Sequence, residues 1–288
     1  LWLVHDGANG IIEREVSFVV SVASVVTASS VDPAPRDEPL VVLKDVSCAF
    51  GARRVLRSVD IEFLPRSVTA IVGPTGSGKS TLLRVLNRQL DGDDRATVTG
   101  QVLLAGLDVY GADVDVFALR RRVALVLRAP AVFAMSVFDN VAFGLRAQRK
   151  RDTHSETRAV ESALRRADLW DALKDQLDRD ARSLSLSQQL LLCIARSLAL
   201  EPEVLLLDEP TLELDPSATG QVEDVLAELR KSMTIVVVTQ LMAQAARVSQ
   251  HLAFFEKGAL VECGETRAMF TRPKDKRAQD FLSGRYRP

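Results

Sequence analysis

The sequence predicts an α/β fold built around a mostly parallel sheet, and three observations lead there. Apolar runs bounded by turn residues recur along the chain: LVVLKDV at 40–46, SVTAIVG at 67–73, VALVL at 123–127, EVLLLD at 203–208 and MTIVVVT at 233–239. Several of these are apolar at nearly every position, the pattern of strands buried on both faces. Amphipathic stretches such as 217–231 lie between them and read as helices. A glycine-rich turn, GPTGSGKST at 73–81, joins one of the strands directly to the helical TLLRVLNRQL.

Composition sets the outer limits. A chain of 288 residues with 47% hydrophobic content and a net charge of -1 can bury one large core or two modest ones. That balance excludes disordered and fibrous classes and gives no bulk basic footprint for nucleic acid. Cys48, Cys193 and Cys263 are far apart and form no CxxC pair, so neither a disulfide framework nor a zinc site is expected, and a reducing cytoplasm fits.

Taken in order, residues 1–38 read as an appendage, either disordered or the product of a misplaced start. The apolar stretch at 16–30 is short, interrupted by serine and preceded by acidic residues, so neither a signal peptide nor a membrane span is expected there. VDPAPRDEPL at 31–40 marks a linker, and the folded domain is expected over 39–288. Residues 129–182 lack strand-like runs and are rich in Ala, Arg, Leu and Asp, which predicts an inserted helical subdomain.

GPTGSGKST fits the phosphate-loop pattern G-x-x-x-x-G-K-[ST] in its required context, between strand and helix. A chance match in a chain of this length is expected at about one per cent, so a glycine-rich turn without a ligand is the weaker reading. Gly73, Gly76 and Gly78 let backbone N–H groups close around phosphate oxygens, with Pro74, Thr75, Ser77 and Thr81 completing the loop. Lys79 is placed to neutralise β and γ phosphates and Ser80 to bind magnesium. EVLLLDEP at 203–210 then delivers Asp208 and Glu209 at a strand end, where open α/β sheets bind ligands. Asp208 suits magnesium, and Glu209 suits a general base that polarises water.

Together with LSLSQ at 184–188 and Asp215 in LELDP, these motifs resemble the ATP-binding cassette ATPases over roughly residues 40–287. More narrowly, LNRQLDG at 86–92, VDVFALRRRV at 114–123, MSVFDNVAFGLR at 135–146, LWDALKDQLD at 169–178, AQAARVSQHLAFF at 243–255 and PKDKRAQDFLSGR at 273–285 resemble ATP-binding subunits of bacterial phosphate importers. The resemblance implies a P-loop fold with an N-terminal antiparallel β region, ATP and Mg2+ as cofactors, and a peripheral place at the cytoplasmic face of the membrane. It also implies two kinds of partner: permease subunits, and a second ATPase subunit in a homodimer or in a heterodimer with a paralogue.

The resemblance extends to further residues. Phe50 matches a position whose ring stacks on adenine, and the segment 129–145 matches the region that receives a permease's coupling helix. Ser185 and Gln188 match the signature motif LSGGQ, which meets the γ phosphate held by the opposite subunit.

Three departures stand out. Leu186 and Ser187 replace the two signature glycines, Arg128 replaces a glutamine that reaches magnesium and water, and Gln240 replaces a histidine that pairs with the γ phosphate and Glu209. A guanidinium has no lone pair for a metal, though it can bind phosphate oxygens, and Gln240 carries no charge. Losing one preorganised donor to a transition state costs about 3–4 kcal/mol, so retained Mg-ATP binding with weak or absent hydrolysis is expected of a homodimer, the alternative being a hydrolysis-deficient subunit that pairs with a competent paralogue. Leu212 and Glu213 also stand where the family's dimer-interface turn has small residues. His5, His154 and His251 sit elsewhere than that histidine position and read as surface or structural residues.

Overall fold

In the computed structural model, residues 38–147 and 153–286 are described. Apart from Glu38, the expected appendage lies outside them, as do His5 and the apolar stretch at 16–30.

Two sheets carry the fold. The larger has six strands in the order β10-β9-β3-β8-β7-β6, from β3 (Val68–Val72), β6 (Val123–Val126), β7 (Val204–Asp208), β8 (Thr234–Val238), β9 (His251–Glu256) and β10 (Ala259–Glu265). Its β9, β3, β8, β7 and β6 run parallel, and β10 pairs antiparallel with β9 at one edge. The smaller sheet is antiparallel, in the order β2-β1-β4-β5, from β1 (Val41–Phe50), β2 (Arg53–Phe63), β4 (Ala96–Leu104) and β5 (Leu107–Asp108).

The strands alternate their side chains between two cores, one on each face of the parallel sheet. Leu205 and Leu207 of β7 enter one core, and Val204 and Leu206 enter the other. The same division separates Ile235 and Val237 from Val236 and Val238 in β8. Every residue of β3, β7 and β8 is buried, which is why these strands read as apolar at nearly every position.

The run at 40–46 differs. It lies in the antiparallel sheet, where Lys44 and Asp45 face solvent while Leu43 and Val46 are buried. Its interrupted pattern reflects a strand covered on one face only.

Helices pack on both faces. α1 (Lys79–Leu86) joins the core shared with the antiparallel sheet, together with α2 (Val116–Arg122). The other core takes α3 (Val137–Arg146), α4 (Thr153–Arg166), α5 (Trp170–Leu173), α6 (Leu186–Leu198), α7 (Pro216–Leu229) and α8 (Met242–Val248). α9 (Thr266–Thr271) and α10 (Lys276–Leu282) add Met269 and Ala278 to it. The described part of 129–182 contains α3, α4 and α5 and no strand, only an isolated bridge between Ser136 and Asp180. Among the described residues no helix is long and apolar enough to cross a membrane.

Candidate functional site

The parallel sheet gathers chemistry at one edge because four adjacent strands end there. β3 leads into the loop 73–78, β8 into Thr239 and Gln240, β7 into Asp208 and Glu209, and β6 into Arg128. A cleft of about 470 Å³ opens at these ends. Thr75, Gly76, Gly78, Lys79, Ser80 and Thr81 form its loop side. Arg128, Asp208, Glu209 and Gln240 form its far wall, and Phe50, at the end of β1, lines its mouth with Arg53 and Val55. Arg53 and Arg84 add positive groups that no motif marks in the sequence; Arg84 lies one helical turn beyond Ser80.

The loop needs its glycines for two reasons. At Gly73, with φ +150, a Cβ would lie 2.0 Å from the Phe255 carbonyl oxygen. At Gly78, with φ +99, it would lie 2.8 Å from Leu56 Cδ2. Gly78 is the N-cap of α1 and offers no side-chain cap, so the first-turn N–H groups face the loop with the positive end of the helix.

Lys79 is 5% exposed, and its Nζ donates to the carbonyls of Gly73 at 2.8 Å and Pro74 at 2.9 Å, with Ser77 Oγ at 3.5 Å. Burial lowers its pKa, while the Glu209 and Asp208 carboxylates oppose that shift. Ser80 Oγ donates to Asp208 Oδ1 at 2.8 Å. Burial raises the Asp208 carboxyl above its ordinary value, and the Ser80 hydrogen bond works the other way. A hydroxyl and a carboxylate oxygen paired beside a phosphate loop are the hard oxygen donors that magnesium takes, so these residues fit the ion.

Glu209 follows β7 with a left-handed backbone, φ +48, and its N–H donates to the Val238 carbonyl at 3.0 Å. Its Oε1 accepts from Gln240 Nε2 at 2.6 Å, and its Oε2 lies 3.6 Å from Arg128 Nη1. Arg128 Nη2 also donates to Glu213 Oε1 at 3.1 Å. Arg128 therefore lines the cleft with its guanidinium turned to two carboxylates. The contact between Gln240 and Glu209 preserves, with a neutral donor, the pairing that the resemblance implied for a histidine.

Ser185, Gln188 and Asp215 do not line this cleft. Ser185 caps α6: its Oγ accepts from Gln188 N at 3.3 Å and its N–H donates to Gln188 Oε1 at 3.2 Å, a reciprocal capping box. The S-x-x-Q spacing is itself the signal for that cap, and a reading of both residues as nucleotide contacts passes over it. Ser187 Oγ adds a contact to Ser185 Oγ at 3.1 Å, and Leu186 stands 40% exposed at the helix start. Ser185→Ala is expected to lower stability by about 1 kcal/mol, measured by urea unfolding. Asp215 caps α7, accepting from the N–H groups of Ser217 and Ala218 at 2.9 and 3.0 Å.

Comparison with known proteins gives these features a lineage. The model of the ABC transporter family matches residues 56–212. The phosphate import ATP-binding protein PstB 1 of Streptococcus pyogenes serotype M3 (strain ATCC BAA-595 / MGAS315) is 42% identical over 249 residues, covering 86% of this chain and 99% of that protein. Its counterpart from serotype M28 (strain MGAS6180) is also 42% identical, over 86% of this chain and 98% of its own length. Among solved structures, cbiO1 from Clostridium perfringens, part of the ABC transporter complex cbiONQ, superposes with a TM-score of 0.71 at 24% identity, covering 82% of this chain and 92% of that one. A bacterial Atm1-family ABC exporter with ATP bound gives 0.70 at 24% identity, over 88% of this chain and 43% of that one. The structural likenesses speak to the fold alone. The family match spans more than half of the chain and the sequence identity runs along nearly the whole of the relatives, so this chain belongs to the ABC transporter family as one of its ATP-binding members.

Proposed function

We propose that this chain is the energy-coupling ATPase subunit of a phosphate importer, working at the cytoplasmic face of the membrane. The observation that carries the reading is the convergence of the phosphate loop, Asp208 and Glu209 on one cleft at the ends of adjacent parallel strands. The transported solute is taken from the likeness to phosphate import ATP-binding proteins.

In this reading Phe50 stacks on the adenine, and the loop N–H groups with Lys79 bind the triphosphate. Lys79 gives up its carbonyl partners for phosphate oxygens. Ser80 and Asp208 would hold magnesium, which would supply positive charge to neutralise the triphosphate. Glu209 takes a proton from the attacking water as its oxygen bonds the γ phosphorus and the bond to the β–γ bridging oxygen breaks, leaving ADP and phosphate. Gln240 steadies the carboxylate through its 2.6 Å hydrogen bond.

A second copy, or a paralogue, supplies its α6 start to close the cleft, and this chain's Ser185, Gln188 and Asp215 serve the opposite site in the same way. The helices within 129–182 form the unit that meets the permease subunits. Val137, Val141, Ala142 and Leu145 of α3 are core, but Phe143 is 51% exposed and its ring lies 4.7 Å from that of Phe133, leaving an apolar surface for a permease helix.

The test is phosphate uptake in cells that lack their own importer ATPase and express this chain with its permease subunits. Uptake that requires both the chain and its intact Lys79 supports the reading. ATP-dependent uptake of another solute, with phosphate ignored, overturns it.

A further inference from the structure

We propose that Arg128 is a positioning residue that holds Glu209 out of action, and that Glu213 is the carboxylate to which its guanidinium withdraws when hydrolysis begins. This rests on the reading of Glu209 as the general base.

The two cleft positions at which this chain departs from the family pattern converge on one carboxylate. Gln240 takes Oε1 of Glu209 and Arg128 takes Oε2, so each oxygen already faces a donor. The Glu209 side chain is 11% exposed and that of Arg128 is 50% exposed, so the guanidinium is the more solvent-facing partner, and a water that is to lose its proton to Oε2 must compete with it for that oxygen. Glu209 itself has little freedom to move away. Its backbone is fixed by the hydrogen bond from its N–H to the Val238 carbonyl and sits in the left-handed region.

Arg128 is the part that can move. Its contact with Glu209 is the longer, at 3.6 Å, and its contact with Glu213 the shorter, at 3.1 Å. Glu213 lies four residues beyond Glu209, in the turn before α7, and its side chain is 62% exposed. A guanidinium bridging two carboxylates can release one without losing its charge partner, because its fork of donors serves both. With Arg128 resting on Glu213 alone, Oε2 of Glu209 is open to water.

Three single variants, one double variant and two measurements decide the matter: steady-state phosphate release from Mg-ATP, and the affinities for fluorescent ATP and ADP analogues. Arg128→Met removes the charge and keeps the stem, so kcat is expected to rise about fivefold, the scale of one partly exposed ion pair, with the ratio of ATP to ADP affinity unchanged. Arg128→Gln is expected to rise at least as far. Glu213→Gln removes the resting place, so kcat is expected to fall about threefold in the parent and to be unaffected beside Arg128→Met. A parent rate below detection with a measurable rate in Arg128→Met is the same result.

An unchanged, undetectable or lower rate in Arg128→Met overturns the proposal, as does a rise confined to Arg128→Gln, which would make the missing amide the cause. ATP affinity falling against that for ADP also overturns it, by making Arg128 a phosphate ligand. Failure of the parent protein to bind ATP would instead overturn the function proposed above.

Discussion

Lys79→Ala is expected to lower ATP turnover by about 10² to 10³-fold and to weaken ATP binding, because it removes the one ammonium buried inside the phosphate loop. Fluorescent-nucleotide titration and phosphate release check both effects. The fold is not the casualty. Nζ satisfies the carbonyls of Gly73 and Pro74 and the Ser77 hydroxyl, and Lys79 itself lines the open cleft, so water entering the vacated space can take over those contacts. The sign of the pH effect separates site from scaffold. Burial lowers the Lys79 pKa in the folded chain, so the cost of burying its charge is fully present below the folded value. That cost fades as pH rises from the folded value towards the ordinary lysine value. The parent protein therefore gains stability through that window relative to the alanine variant, an outcome that paired thermal melts would display.

Glu209→Gln is expected to keep ATP bound while slowing turnover by about 10² to 10⁴-fold, the range for a general base, which is the role proposed for it. The replacement is nearly isosteric, and its amide oxygen can still accept from Gln240, so the strand end keeps its shape. What disappears is the proton acceptor and the charge facing Arg128. Single-turnover phosphate release with ATP affinity measured in parallel is the check. An affinity within about threefold of the parent, with the slow step in the chemistry, is the expected pair.

Much of this was legible in the sequence, for identifiable reasons. β3, β7 and β8 are buried on both faces, and burial on both faces writes a nearly unbroken apolar run. The phosphate loop is legible because its turn holds positive φ at Gly73, Gly76 and Gly78 and packs closely on Phe255 and Leu56, conditions that admit few residues other than glycine. The other features depend on neighbours far along the chain. That the run at 40–46 belongs to a second sheet follows from its pairing with β2 and β4, which apolar content does not reveal. The hold on Glu209 joins residues 128, 209, 213 and 240, and no spacing rule connects them. The capping box of Ser185 and Gln188 is a local pattern too, but it occupies the same residues as the signature motif, so one spacing carries two meanings.

The strand order has a consequence for how the chain comes into being. β3, which carries the phosphate loop, has no neighbour close in sequence within its own sheet: Val68 pairs with Ile235 and Thr69 with His251. During synthesis the apolar segment VTAIV must therefore wait while roughly 170 further residues are made before its partners exist. Nucleotide binding is a property of the finished polypeptide rather than of its first third. Until β8 and β9 arrive, the same five residues lack both of their strand neighbours, which leaves an apolar segment open to aggregation in the nascent chain.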